Sequence, residues 1–207
     1  MVHTNSKEPG LPEFIQFNTL SKGDLIAEYL VANGVKDHQI SIESMANNFP
    51  LAEQDSTNPD SDYLHQNKRI EFEIVNGNNE LLIGAVRDSM ITGTKTINKK
   101  ADFFNAIRKG LYYSVEFASS DRMYKNAVLR LYDGIYIRKE SPSSQNKYYV
   151  GLYKTFAEAQ KQQLSLANSS APYSKVIPFL AGSIITEEEL EKVALRVPDL
   201  KNFLSNQ

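Results

Sequence analysis

The stretch Asn146 to Gln160, NKYYVGLYKTFAEAQ, constrains this chain more than any other. Tyr149, Gly151 and Tyr153 alternate with Val150, Leu152 and Lys154 over a run rich in β-forming residues, the period-two pattern of a strand half buried against a core. A helix follows at once. Thr155 can accept a hydrogen bond from the Glu158 backbone amide while the Glu158 side chain reaches back, the reciprocal capping box of a helix start. The strand-to-helix step is therefore well specified, as a small α/β sandwich requires.

This segment resembles the central signature of the sporulation-related repeat (SPOR) domain, in which a tyrosine-bearing strand runs into a Thr/Ser-x-x-Glu-Ala helix. On that resemblance the flanking segments become Leu111–Ala118 as the first strand, Met123–Tyr132 as a short helix, Ile135–Arg138 as the second strand and Ser174–Leu180 as the last. The match covers roughly Gly110 to Thr186. SPOR domains commonly open with Val-Gln-x-Gly-x-Phe, with the glutamine on the glycan-facing sheet surface. Here Tyr113-Ser114-Val115-Glu116-Phe117-Ala118 stands in that place, so Ser114 replaces the glutamine and Glu116 the glycine. The resemblance implies a glycan face built from Ser114, Tyr149 and Tyr153. Strand alternation must turn half of the tyrosines at 112, 113, 136, 148, 149 and 153 into the core, and an aromatic stripe on strands is more often packing than a sugar platform.

The first half opens with His3-Thr4-Asn5, followed by Asn18-Thr19-Leu20-Ser21 and a helical run through Leu25, Ile26, Tyr29 and Leu30. That run stops at Asn33-Gly34, a good left-handed terminator. Gln39–Ser44 alternates like a strand, a polar loop with Pro50, Asn58 and Pro59 follows, and Asn67–Val75 places Ile70, Phe72 and Ile74 on one strand face. The succession resembles the later part of an OmpA-like peptidoglycan-binding domain, whose forms are His-Thr-Asp, Asn-x-x-Leu-Ser-x-x-Arg-Ala and Asn-Arg-Arg-Val-Glu. That family begins with a further strand and helix, so an N-terminally incomplete unit is expected. In the family, the aspartate and the first arginine grip the amine and carboxylate of diaminopimelate, a pairing of opposite charges. Here the corresponding places hold Asn5 and Asp24, while Arg69 matches the arginine retained on the strand. Asn18 and Arg69 also have plain structural readings, as a capping or turn residue and a solvated strand residue.

Asn76–Asn79 reads as a turn, Leu81–Val86 as a short apolar run, Ile91–Lys100 as a polar connection and Ala101–Lys109 as a short amphipathic helix. Thr186 with Glu189 forms a second capping box, and the helix it opens presents Leu190, Val193 and Ala194 until Pro198 ends or kinks it.

Composition narrows the chemistry. A formal net charge of −2 supplies no basic field for phosphate, so nucleic acid is not an expected partner. No cysteine is present, which removes disulfides and thiolate chemistry from this sequence. No window approaches about 18 consecutive apolar residues, the minimum for a membrane span. His3, His38 and His65 show no metal-ligand spacing, and no nucleophile, P-loop or dinucleotide fingerprint occurs. Glu187, Glu188 and Glu189 point in different directions around a helix, while Asp121 and Asp133 read as caps.

The expected fold is α+β in two small αβ sandwich modules. Residues 1–78 form the partial OmpA-like unit, 79–109 a linker with a short helix, and 110–207 a SPOR-like βαββαβ unit with a C-terminal helix. The resemblances imply a non-catalytic periplasmic scaffold or interaction module of a bacterial envelope or outer-membrane-associated complex, with an altered peptidoglycan site at Asn5, Asn18, Asp24 and Arg69. A functioning cell-wall anchor is the alternative. Other envelope proteins are the expected partners, with peptidoglycan the ligand of the alternative, and no cofactor, metal or membrane insertion is expected.

Overall fold

The computed structural model describes residues 2–3, 11–46, 48, 69–70, 109–169 and 171–206. Asn5, the Pro50–Pro59 loop with His65, residues 71–75 of the expected strand, the 76–100 connection and residues 101–108 of the expected helix lie outside the described residues. The fold is α+β. The chain divides into two compact units, Met1–Ala101 with Arg138–Ser144, and Asp102–Ile137 with Gln145–Gln207.

In the first unit, helix α1 (Pro12–Ala32) begins on Pro12, whose fixed φ suits the first helical position. It ends where the Asn33 amide donates back to the Tyr29 and Leu30 carbonyls and Gly34 adopts a φ of +97°. The helix therefore starts well before Leu25, and Asn18 lies in its interior rather than at a cap or turn. Its buried stripe is Thr19, Leu20, Gly23 and Ala27 together with Glu13 and Gln16. Small residues at 23 and 27 let the helix lie close to strand β2 (Ile42–Ala46), and Ser44 Oγ donates to the Gln16 carbonyl at 3.0 Å. Leu25 and Tyr29 face outward instead, 67 and 68 % exposed.

The strand expected over Gln39–Ser44 begins later. Asp37–Gln39 forms a 3₁₀ turn closed by the Ile40 amide on the Asp37 carbonyl, and only then does β2 run fully buried from Ile42. It pairs in parallel with β1 (Val2–His3).

The second unit follows the order β-α-β-β-α-β and then adds a hairpin strand and two helices. Its elements are β3 (Leu111–Ser120), α2 (Val128–Leu131), β4 (Ile135–Lys139, whose last two residues belong to the first unit), β5 (Asn146–Tyr153), α3 (Phe156–Ser169), β6 (Lys175–Leu180), β7 (Ser183–Ile184), α4 (Glu187–Ala194) and α5 (Pro198–Leu204). The strand order is β4-β5-β3-β6-β7, and β3 lies antiparallel to both β5 and β6. Helix α2 is shorter than expected because Asn126 Oδ1 accepts the Val128 amide, an Asx-type start that leaves Met123–Lys125 non-helical.

Helix α3 opens with the full capping box. The Thr155 amide donates to Glu158 Oε2 at 3.2 Å, and the Glu158 amide donates to Thr155 Oγ1 at 3.3 Å. Buried Phe156, Ala159 and Leu166 turn toward the sheet. Helix α5 adds buried Leu200 and Phe203, so Tyr113, Phe156 and Phe203 form one aromatic cluster with ring centres 5.5–6.2 Å apart. On the opposite face Tyr112 stacks on Phe179 at 4.9 Å, and Tyr136 stacks on Tyr149 at 5.3 Å.

Strand β7 was not legible as a strand, since Gly182-Ser183 reads as a plain turn. Ala181 and Gly182 both take positive φ, +49° and +82°, which makes the tight hairpin that carries it. The Pro178 carbonyl accepts the Ile185 amide, which carries the pairing of the hairpin one residue past Ile184, while Pro178 itself is buried.

Candidate functional site

The two sets of residues suggested by sequence fall in different units. In the first, Asp24 stands on α1, and its Oδ1 accepts Lys139 Nζ at 2.9 Å. Lys139 is almost buried and Asp24 about a third exposed, so the pair is partly shielded from water. Beside it in sequence, Arg138 pairs with Glu43 of β2, both side chains buried. Asp37 accepts a third bond, 2.7 Å from Ser143 Oγ, and hydrogen bonds from Ser143 and Ser141 hold its carboxyl below the usual range. The segment Arg138–Ser144, itself part of the first unit, is thus held by three acids of that unit. Sequence reasoning missed this because the partners are separated by 95 to 115 positions.

Asn18 is exposed on α1, and Arg69 is half-buried beside the bridge residue Ile70. Asp24 therefore carries an internal ion pair rather than an open carboxylate.

In the second unit, Gly151 organises the expected glycan face. Its φ of +68° and the register step between Tyr113/Val115 and Tyr153/Val150 mark a β-bulge in β5. Ser114 Oγ reaches under the bulge and donates to the Gly151 carbonyl at 2.7 Å. Ser114 is therefore buried, and Tyr149 is buried too, donating its hydroxyl to Glu116 Oε2 at 3.1 Å. Neither offers a face to a glycan, which corrects the reading of Ser114 and Tyr149 as surface residues. Tyr112, Tyr113, Tyr136 and Tyr148 are buried as well, so alternation does not expose half of the tyrosines. Glu116 completes a short chain, its Oε1 lying 3.3 Å from the largely exposed Lys175 Nζ.

Tyr153 alone of the three is half exposed. Its ring lies over Gly151, in the space a β-carbon there would need. Burial, with a smaller contribution from the Glu158 charge, pushes its phenol up to about 12. It borders an open groove of about 520 Å³ with Leu152, Lys154, Glu158, Lys161, Gln162 and Ser165. Sequence reasoning did not single out Gln162 or Lys161, since polar residues on a capped helix carry no local signal that sets them apart.

On the other face, burial and then the neighbouring Asp199 raise the Tyr113 phenol. Asp199 also accepts the Phe156 amide at 2.8 Å, so it caps α3 from a distant helix.

Among the described residues no group of three or more His, Cys, Asp or Glu side chains could hold a metal ion. No described helix is long and apolar enough to cross a membrane. Comparison with protein-family models, with curated proteins and with solved structures finds no match.

Proposed function

We propose that this chain is a non-catalytic interaction module of a bacterial envelope complex, working in the periplasm, with its cell-wall site turned to an internal structural use. The observation that carries the reading is the Asp24–Lys139 pair. At the position that resembles a ligand-gripping arginine, the chain places an acid, and its own lysine already neutralises that acid at 2.9 Å. A ligand carboxylate entering there would meet a like charge and would have to displace the ammonium, a cost of several kcal/mol for desolvated charges.

Burial of Ser114 and Tyr149 supports the same reading for the second unit. Among the described residues the site's side chains serve as ion pairs, hydrogen-bond partners and packing, so binding rather than turnover is the activity proposed. A functioning cell-wall anchor is the second reading, favoured by the half-exposed Tyr153 ring beside a polar groove.

The test is a titration of the labelled chain with soluble muropeptide containing diaminopimelate, followed by NMR. The proposal expects no saturable shifts around Asp24 and Arg69. Saturable shifts there, lost in Arg69→Ala, would overturn it.

A further inference from the structure

Helix α1 ends on an Asn-Gly step, Asn33-Gly34, and that dipeptide carries chemistry of its own. The backbone nitrogen that follows an asparagine can attack the side-chain amide carbon, and a glycine in second place, with no β-carbon, crowds that approach least. Asn76-Gly77 is the other such step in the sequence and lies outside the described residues.

Both residues of the α1 step are exposed, and a β-carbon built on Gly34 would meet no atom within 4 Å, so the step is open to water. Its reacting groups are nevertheless engaged. Asn33 Nδ2 donates to the Tyr29 carbonyl at 2.8 Å, and the Gly34 amide donates to the Val31 carbonyl at 3.0 Å. The Val35 amide closes the terminator on the Leu30 carbonyl at 3.1 Å. Asn33 itself sits at φ −97° and ψ 16°, which turns the Gly34 nitrogen toward the Asn33 backbone nitrogen and away from its β-carbon. The attack therefore requires the last turn of α1 to open first, a local fraying that a helix end permits.

We propose that Asn33 is a site of spontaneous deamidation gated by the α1 terminator. When the turn frays, the Gly34 nitrogen bonds to Asn33 Cγ, the Cγ–Nδ2 bond breaks, and ammonia leaves with the Gly34 amide proton. Water then opens the cyclic imide at one carbonyl or the other, giving an aspartate or its side-chain-linked isomer with no change of oxidation state. Either product has lost the donor to the Tyr29 carbonyl and places a carboxylate at the negative end of the helix dipole, so the end of α1 is held less well than before. The inference goes beyond the binding role proposed above and is independent of it.

The test ages the full chain in mildly alkaline buffer with and without urea, then follows the peptide containing Asn33 by digestion, chromatography and mass spectrometry, which together read the exchange of NH for O and separate the isomers. The expected result is conversion at Asn33 to both isomers, slower in native buffer than in urea by about tenfold or more, the scale of the two hydrogen bonds that must open. Val35→Pro removes the Val35 donor and brings the native rate toward the urea rate in a chain that circular dichroism shows to be folded. Gly34→Ala slows conversion in urea, where only the local chemistry counts. Absence of conversion at Asn33 in urea overturns the site. Equal rates in native buffer and urea, or an unaltered native rate in folded Val35→Pro, overturn the gate. The comparison of native buffer with urea needs no variant, and it decides alone if Val35→Pro does not fold.

Discussion

Gly151→Ala tests how the bulge positions the groove. Residue 151 sits at a φ of +68°, and the left-handed region costs an L-residue with a β-carbon about 1–2 kcal/mol. The new methyl would also meet the Tyr153 ring at its hydroxyl end, side-chain atoms that can swing away only by leaving their rotamer. That adds about 0.5–1.5 kcal/mol. The two effects together predict a loss of about 1.5–3.5 kcal/mol, read from urea unfolding with an unchanged slope. The mechanism is separable by a double-mutant cycle. In a Tyr153→Ala background the clash is gone, so the further cost of Gly151→Ala should fall to the backbone part alone, about 1–2 kcal/mol. A cost that is the same with and without the Tyr153 ring would refute the claim that ring and glycine define each other's position. A cost under about 0.5 kcal/mol would refute the strain argument as well.

The buried Arg138–Glu43 pair should be costly to break and cheap to remove. Arg138→Met alone takes the guanidinium from a buried carboxylate and should lose about 3–5 kcal/mol in equilibrium unfolding, whereas Arg138→Met with Glu43→Leu should recover most of that loss. Equal losses in the single and double variants would contradict this. The phenols make stability depend on alkaline pH. Tyr153 is raised to about 12 in the fold against about 10 when unfolded, so its contribution is complete below about pH 10 and disappears as pH rises through about 12. Tyr113, raised by burial and Asp199, acts in the same direction. Unfolding free energies measured at successive pH values above 9 should fall, and Tyr153→Phe should make that fall shallower; an unchanged fall would count against the shift.

What the amino-acid order reveals here follows the range of the interaction involved. The step from β5 into α3 is legible because period-two alternation and a Thr155–Glu158 box act within a few residues of each other. The same holds for the Asn33-Gly34 terminator and the Thr186–Glu189 start of α4, where the Thr186 amide donates to Glu189 Oε2 at 3.1 Å. The outer face of α1 was not legible. Leu25 and Tyr29 face out while the helix buries Leu20 with Gly23 and Ala27, since close approach to β2 rewards small side chains at those last two positions. The tyrosines mislead for a related reason. Alternation says which of them share a face, and it cannot say that the second face is covered too. Asp24 with Lys139, and Asp199 with the α3 N-terminus, are long-range pairings for which no local pattern exists. Gln162 was hidden in another way, because a glutamine on a capped helix looks like any solvated residue until its amide is seen to be shielded.

The most direct test of the account is co-sedimentation of the purified chain with intact peptidoglycan sacculi at low ionic strength, where weak charge-driven contacts are least screened. With Asp24 held by Lys139 and the Ser114–Tyr149 face closed, the account predicts that no more of the chain pellets than of a control protein of similar net charge. Saturable pelleting that is competed by soluble muropeptide and abolished by Arg69→Ala would contradict it and identify a working wall anchor.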